Sequence, residues 1–369
     1  MTGSRPPALP AAMTSTSRDH AHPADGSRDD SSAASAGRAN PVLVRLWRGG
    51  RVESRHRGAW VLVDPAGSVI DGAGDFDQAI YARSSVKSFQ ALPLVETGAA
   101  ERFAYDDADL ALALASHNAE AAHTGRVLRV LGRLGLGVGD LQCGPQPPRD
   151  PEALRALEAS GAAATALHNN CSGKHAGFLA LARHLGQPPE RYLDPEGEAQ
   201  RLVRRALAGM SGVPEAELEH ATDGCSAPTW RLPLRALATA FARLANPDGL
   251  VNGWSGACRW MQRAVARHPD LIAGKHQRIC TDIARVSGGR LFPKIGAEGV
   301  YGLGVVGGER GLAIKMDDGG ARGLHALLVA LLERFGFASS AELEALAPWS
   351  GDPIRNWAGL EVGRTEVVP

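Results

Sequence analysis

The sequence has few of the features that mark a secreted, membrane or nucleic-acid-binding protein. Its five cysteines are an odd number, lie far apart and form no C-x-x-C pair, so we expect no disulfide framework. No apolar run is long enough to span a bilayer. Forty basic residues balance forty acidic ones, so nothing indicates nucleic acid or an anionic membrane as a partner. These absences predict a cytoplasmic protein.

The composition divides the chain into a short leader and one large domain. Of the 369 residues, 44% are hydrophobic and 22% charged, which is ordinary for a globular protein. Residues 1–40 differ, because they are rich in Ser, Ala, Asp, Arg and Pro and lack the continuous apolar stretch of a signal peptide. We predict a disordered leader over 1–40, in which Met13 is an alternative start, and a single domain over 41–369.

Strand patterns occupy both ends of the domain and helical patterns occupy its middle. Apolar residues at three- and four-residue spacing predict helices in the middle region, 106–278. This order predicts an α+β domain whose antiparallel sheet takes strands from both ends of the chain. The predicted strands are 42–47, 59–63, 68–70, 294–306 and 312–316, and the predicted helices are 84–97, 126–134, 178–185, 198–207, 232–244 and 322–335.

Three short motifs occur in a fixed order along the chain. They are Ser84-Ser85-Val86-Lys87, Ser116-His117-Asn118 and Lys294-Ile295-Gly296, which have the forms S-x-x-K, S-x-N and K-x-G. Together they are typical of serine acyl-transfer enzymes of the β-lactamase and penicillin-binding type, and they predict that fold.

The first motif supplies a nucleophile and a base. Residues three apart share a helix face, so Ser84 and Lys87 can touch, and a partly desolvated lysine can accept the serine proton. Lys294 would add a second positive charge, and Ser116 with Lys294 would form a second pair that relays protons to the leaving group. The alternative is that Ser84 caps a helix and Lys87 is solvated.

Two cysteine segments contain groups that can bind a metal. Cys171 and Lys174 are three apart at the start of a predicted helix, and Cys225 lies in an Asp-Gly-Cys-Ser loop. Thiolates are good zinc ligands, but lysine is a rare one that must first lose its proton. On the residues alone, a buried structural thiol in each loop is the favoured interpretation.

Over residues 41–365 the chain resembles the asparaginases of the Rhizobium etli type, the asparaginase II family. The segments that carry this resemblance are Val52–Gly58, Arg83–Lys87, Ala115–His117, Asn169–Gly177, Asp223–Cys225 and Lys294–Gly299. The resemblance implies a β-lactamase-like fold and hydrolysis of L-asparagine to L-aspartate and ammonia by a homodimer.

The same resemblance implies roles for particular residues. It implies two catalytic pairs, Ser84–Lys87 and Ser116–Lys294. It also implies one zinc ion per subunit, which supports substrate binding. The implied ligands are Cys171, Lys174 and Cys225, and the implied substrate-binding residues are Arg83, His117, Asn118, Asp223 and Glu298. The chain departs from the family pattern at Ala119, where the family has glycine, and at 145–148, where a histidine is typical.

Two alternatives remain open at the level of sequence. Another acyl hydrolase on the same scaffold would use the same serines and lysines, whether a glutaminase or a peptidase acting on D-amino-acid or β-lactam substrates. A non-catalytic zinc protein would use Cys171 and Cys225 to tie two loops together, but it would have no need of the serine–lysine pairs.

Overall fold

The computed structural model describes residues 39–251 and 253–368. The predicted leader lies outside these residues except for its last two. Of those, Asn40 is tied to the domain, because its Nδ2 donates to Asp317 Oδ1 at 2.8 Å and its carbonyl accepts from Arg57.

The main sheet is antiparallel and takes strands from both ends of the chain. Its order is β10-β11-β1-β2-β9-β8-β7, and β3 pairs with β2. The first strand pairs with the last, with Val44 opposite Val367. The predicted α+β class is thereby confirmed. The strands are β1 Val42–Arg48, β2 Arg51–Val63, β3 Val69–Ala73, β4 Ala79–Tyr81, β5 Glu219–Thr222, β6 Pro228–Pro233, β7 Leu291–Ile295, β8 Val300–Val305, β9 Arg310–Met316, β10 Ile354–Arg355 and β11 Glu361–Val367.

The opening hairpin turns at Gly49 and Gly50, and its second strand is longer than predicted. Gly49 and Gly50 both have positive φ, the backbone conformation that glycine adopts without steric cost. The sequence predicted a strand over 59–63, whereas β2 begins at Arg51. Its first seven residues alternate between exposed and half-buried, so they carry charge on one side and lack the apolar run that marks a buried strand.

The predicted single strand over 294–306 is wrong, because it is two strands joined by a turn. Strand β7 ends at Ile295 and β8 begins at Val300. Glu298 and Gly299 have φ of 60° and 68°, which no strand accommodates. The Gly296 N–H closes the turn by donating to the Val300 carbonyl at 2.8 Å.

The helical region was predicted in outline, and a small three-stranded sheet, order β4-β6-β5, was missed. Strand β6 occupies the start of the segment predicted as helix 232–244. Pro233 at its end precedes the observed helix, because proline is tolerated at a helix start and excluded from its interior. The helices are α1 Lys87–Gln90, α2 Leu92–Glu96, α3 Ala99–Arg102, α4 Asp107–Ala113, α5 Ala121–Arg133, α6 Pro151–Ala159, α7 Ser172–Leu185, α8 Glu198–Ser211, α9 Leu234–Ala245, α10 Trp254–Arg267, α11 Ile279–Val286, α12 Ala321–Arg334 and α13 Ser340–Ser350.

The core joins the sheet to the helix that carries the first motif. Phe89 of α1 and Phe241 of α9 are fully buried and pack edge to face, with ring centroids 5.3 Å apart. Gly302 of β8 lies against the same Phe241 ring, and a Cβ there would come within 1.9 Å of it. This close packing fixes the position of α1 relative to the sheet. Within residues 39–251 and 253–368, no helix combines the length and apolar character needed to cross a bilayer.

Candidate active site

Ser84 lies at the start of a short, broken helical segment. The sequence predicted a helix from 84 to 97, and the chain forms a 3₁₀ turn over Arg83–Val86 followed by α1 and α2. Gly98 ends the segment in the left-handed conformation, with φ 80°, as predicted. Arg83 also has positive φ, at 52°, which is strained for a residue with a side chain and turns the chain sharply just before Ser84.

Two buried lysines donate hydrogen bonds to a single hydroxyl. Lys87 Nζ lies 3.1 Å from Ser116 Oγ, and Lys294 Nζ lies 3.0 Å from the same oxygen. Both side chains are also bound to backbone carbonyls, Lys87 to Ala115 and Lys294 to Ile295. Ser116, Lys87 and Lys294 therefore form a continuous hydrogen-bonded chain.

Ser84 lies at the same cavity without a hydrogen bond to Lys87. Its hydroxyl is bonded to no side chain among the described residues, and the amine expected to pair with it turns towards Ser116. The expected pairing of Ser116 with Lys294 is present. The two predicted pairs are thus joined at Ser116 into one network instead of standing side by side.

Burial favours the neutral form of both lysines. The pKa of Lys294 falls to about 7, because it is removed from water and lies near Lys87. Burial also lowers the pKa of Lys87, while the nearby Cys171 opposes that shift. A lysine with a pKa near neutrality can accept a proton from a serine hydroxyl.

Lysine is scarce in this chain, and its positions mark the site. The sequence has five lysines, so 35 of the 40 basic residues are arginine. Three of the five are buried, namely Lys87, Lys174 and Lys294. Arginine stays charged in proteins, whereas a buried lysine can lose its proton. The scarcity of lysine in this sequence therefore points to these three positions, independently of the motifs.

The S-x-N motif supplies two residues to the cavity and one to the layer behind it. Ser116 and Asn118 line the cavity. His117 is buried, with Nδ1 accepting from the Ala119 N–H and Nε2 bonded to Ser172 Oγ at 3.0 Å. Burial and the neighbouring His123 hold its pKa well below the usual value, so the ring is neutral. His117 therefore joins the Ser116 segment to the start of α7 and does not line the cavity.

The cavity has a volume of about 710 Å³ and is rich in charged groups. An amino acid with nine non-hydrogen atoms occupies at most about the volume of nine waters, on the order of 270 Å³. The cavity therefore has ample room for one such molecule. The sequence analysis did not identify several of its polar lining residues, because no recognisable motif surrounds them. These are Arg149, Asp150 and Arg278 in loops, Cys280 on α11 and His325 on α12.

Besides His117, three more of the residues expected to bind substrate lie outside this lining. Arg83 and Asp223 form a salt bridge, with Nε and Oδ1 2.8 Å apart, next to Ser84. Glu298 is exposed at the turn between β7 and β8, where its carbonyl accepts from Lys315 Nζ. Arg83 and Asp223 therefore bind each other beside Ser84 and do not line the cavity. The Glu298 side chain does not line it either.

The three residues expected to bind zinc lie close to one another and to Lys87. Lys174 Nζ lies 3.1 Å from Cys225 Sγ, and Cys171 Sγ donates to Asn170 Oδ1 at 3.0 Å. The neighbouring Cys225 thiol, together with Lys87 and Lys174, lowers the pKa of Cys171 well below the usual value. All three side chains are buried. Two thiolates are donors that Zn²⁺ accepts, so the cysteines fit this ion. The Lys174 amine can join them only without its proton. Burial favours the loss of that proton, but Cys225 and Cys171 outweigh burial and raise the pKa of Lys174. Among residues 39–251 and 253–368, no group of three or more His, Cys, Asp or Glu residues is arranged to hold a metal.

A serine hydroxyl held between two buried lysines is an arrangement that can support acyl transfer. The chain belongs to the L-asparaginase II family, whose model matches residues 44–367. The family is one of amidohydrolases acting on a small molecule.

The comparison with solved structures found a β-lactamase from Mycobacterium bovis. The two are 15% identical, the match covers 75% of this chain and 94% of that one, and the TM-score is 0.39, too low to support an argument about the site. No curated protein matches the chain.

Proposed function

We propose that this protein hydrolyses the side-chain amide of L-asparagine to L-aspartate and ammonia. The observation that carries the proposal is the convergence of Lys87 and Lys294 on Ser116 beside Ser84, in a chain that belongs to the L-asparaginase II family. A non-catalytic zinc protein has no use for two lysines whose pKa values are lowered by burial.

Ser84 is the proposed nucleophile, because its hydroxyl is free and lies in the cavity at the start of a helical turn. Its oxygen attacks the amide carbon, and its proton passes to neutral Lys87. N–H groups at the helix start stabilise the negative charge that forms on the amide oxygen. The chain from Lys87 through Ser116 to Lys294 then delivers a proton to the departing nitrogen, and ammonia leaves. Water cleaves the acyl-enzyme ester to aspartate and restores the serine.

Cys171, Lys174 and Cys225 are the proposed zinc ligands, with one ion per subunit. Bound zinc would supply a fixed positive charge and a tie between the Cys171 and Cys225 loops. Those loops adjoin the reacting groups, since the His117 N–H donates to the Asn170 carbonyl and Arg83 bonds to Asp223. The chain's own contribution is to orient substrate through these contacts. We also propose a cytoplasmic homodimer.

Mass spectrometry of the enzyme quenched during turnover of L-asparagine, first intact and then after digestion to peptides, tests the nucleophile. We expect one added aspartyl group on a peptide that contains Ser84, and no adduct in Ser84→Ala. Ammonia release should fall by at least about 10³-fold in Ser84→Ala, and Ser116→Ala should also be impaired. Ser211→Ala, a buried serine on α8 bonded to its own helix, is the matched control and should remain active. An adduct on Ser116 would exchange the roles of the two serines.

A panel of amides and a metal measurement test the remaining alternatives. Release of ammonia from L-glutamine at a rate equal to that from L-asparagine, or hydrolysis of a cephalosporin instead of either amide, would reject the proposed substrate. Metal analysis of Cys171→Ser should show lost zinc and a lower melting temperature, whereas Cys258→Ala, which removes a thiol buried elsewhere, should keep its zinc. Zinc retained in Cys171→Ser would reject the ligand assignment.

A further inference from the structure

The loop over residues 270–278 is bonded to the segment that carries Ser116. The Ser116 N–H donates to the Ile272 carbonyl at 3.0 Å. The Lys275 N–H donates to Glu120 Oε1 at 2.7 Å, and His123 Nε2 lies 3.3 Å from the Asp270 carbonyl. The 270–278 loop therefore covers the Ser116 segment along its length.

Arg278, at the end of this loop, is hydrogen-bonded to Ser116 itself and to Asn118. Its Nη2 donates to the Ser116 carbonyl at 2.6 Å, and its Nη1 donates to Asn118 Oδ1. The guanidinium lines the cavity, although the sequence contains no motif around it. The loop is packed closely here, since a Cβ on Gly274 would lie 2.5 Å from Asn118 Nδ2.

We propose that Arg278 is a positioning residue for Ser116: its guanidinium bonds both the Ser116 carbonyl and the Asn118 side chain and places a half-buried third cation near Lys87 and Lys294. This inference rests on the proposed function of Ser116. A forked guanidinium can bond the carbonyl and the amide oxygen at once, which a lysine ammonium on a flexible stem does less rigidly.

The charge of Arg278 acts on Lys294 as well. Burial and Lys87 contribute most to the lowered pKa of Lys294, and Arg278 lowers it further, while Cys280 and Cys171 oppose the shift. Arg278 itself faces Cys280, Arg149 and Glu120. Removing this cation therefore makes protonation of Lys294 easier, so the neutral amine exists only at higher pH.

The scarcity of lysine makes the effect measurable without turnover. Selective ¹³C labelling of the lysine Cε atoms gives five resonances, and Lys294→Arg assigns the one of interest. The variants are Arg278→Met, which loses charge and hydrogen bonds, and Arg278→Gln, which loses the charge and keeps one polar group near Ser116. Arg259→Gln, an exposed arginine on α10, is the control.

We expect the titration midpoint of Lys294 to rise in both Arg278 variants and to stay unchanged in the control. We expect kcat to fall by about tenfold to a hundredfold in Arg278→Met, with a smaller change in KM and a smaller loss in Arg278→Gln. An unchanged midpoint in both variants, or an unchanged kcat in Arg278→Met, would overturn the proposal. If the wild type releases no ammonia from any amide, the proposed function fails, whereas the lysine titration still tests Arg278.

Discussion

Arg83 and Asp223, from distant parts of the chain, form a salt bridge with a separation of 2.8 Å next to Ser84. Arg83 has positive φ, so its backbone is strained, and Asp223 lies two residues before Cys225. The bridge holds the sharp turn that presents Ser84 and links it to the loop of a proposed zinc ligand.

Asp223→Asn should therefore impair both stability and activity. The change removes the charged partner of a largely buried guanidinium, and we expect a loss of about 2 kcal/mol in the free energy of unfolding. Ammonia release should also fall by a larger factor in Asp223→Asn than in a variant that converts an exposed carboxylate to an amide. Glu53→Gln, which breaks the exposed pair with Arg48, is the control and should change stability far less, because solvent screens that pair. Equal effects of the two changes in urea melts would contradict this prediction.

The activity of the wild type should decline on the acid side of neutrality. The pKa of Lys294 is lowered to about 7 by burial and by Lys87, so the proportion of neutral amine falls as the pH drops below that value. We expect the pH profile of kcat/KM for asparagine to show an ascending limb with an apparent pKa near 7, which belongs to the coupled Lys87 and Lys294 pair. A profile that stays flat down to pH 5.5 would show that no lysine of the network must be neutral.

Lys294→Met should stabilise the fold at neutral pH while abolishing activity. The native pKa lies at about 7 and the ordinary value is 10.5, so between them the unfolded chain binds more protons than the native state. The wild type is therefore penalised fully below pH 7, and the penalty is relieved as the pH rises towards 10.5. The stability gain of the variant, measured by urea unfolding, should be larger at pH 7 than at pH 9.5. A gain independent of pH would exclude this origin.

Ala119→Gly should stabilise the protein. Ala119 has φ of 63°, the left-handed conformation that costs a residue with a Cβ about 1 kcal/mol and glycine almost nothing. Thermal melts should show a higher midpoint, with activity retained. Ala156→Gly, in the exposed interior of α6, is the opposing control and should lower stability by about 0.5–1 kcal/mol.

Gly296→Ala should reduce activity more than the addition of a single methyl group suggests. A Cβ at Gly296 would lie 2.9 Å from the Ala82 carbonyl oxygen and 3.3 Å from the Ser85 nitrogen. The methyl group would therefore push the end of β7 away from the turn that carries Ser84. We expect at least about a tenfold loss in kcat. Gly132→Ala in α5, where a Cβ meets no atom within 4 Å, should leave the rate unchanged.

The sequence predicted the parts of the site that depend on local pattern. The three motifs S-x-x-K, S-x-N and K-x-G predicted that Ser84, Ser116 and Lys294 would share one site, because the three motifs in this order are typical of one class of serine acyl-transfer enzymes. It did not predict that Lys87 would turn to Ser116, since two hydroxyls lie near one flexible amine and only tertiary packing selects between them.

Other features lay beyond local pattern altogether. Arg278 was missed because its partners are a backbone carbonyl and an amide, which leave no spacing rule in the sequence. The C-terminal strand β11 was missed for a similar reason. Its residues are half-buried and mostly polar, and only pairing with β1 makes them a strand.

That pairing has a consequence for how the protein is made. Strand β1 emerges from the ribosome with one edge that no partner can satisfy until β11 is synthesised more than 300 residues later. At ordinary elongation rates the wait is on the order of 15 to 60 s. During that interval the nascent chain exposes an open strand edge, which can form hydrogen bonds with a strand of another chain. Yield in a recombinant host should therefore depend on chaperone capacity and translation speed more than on the stability of the finished enzyme.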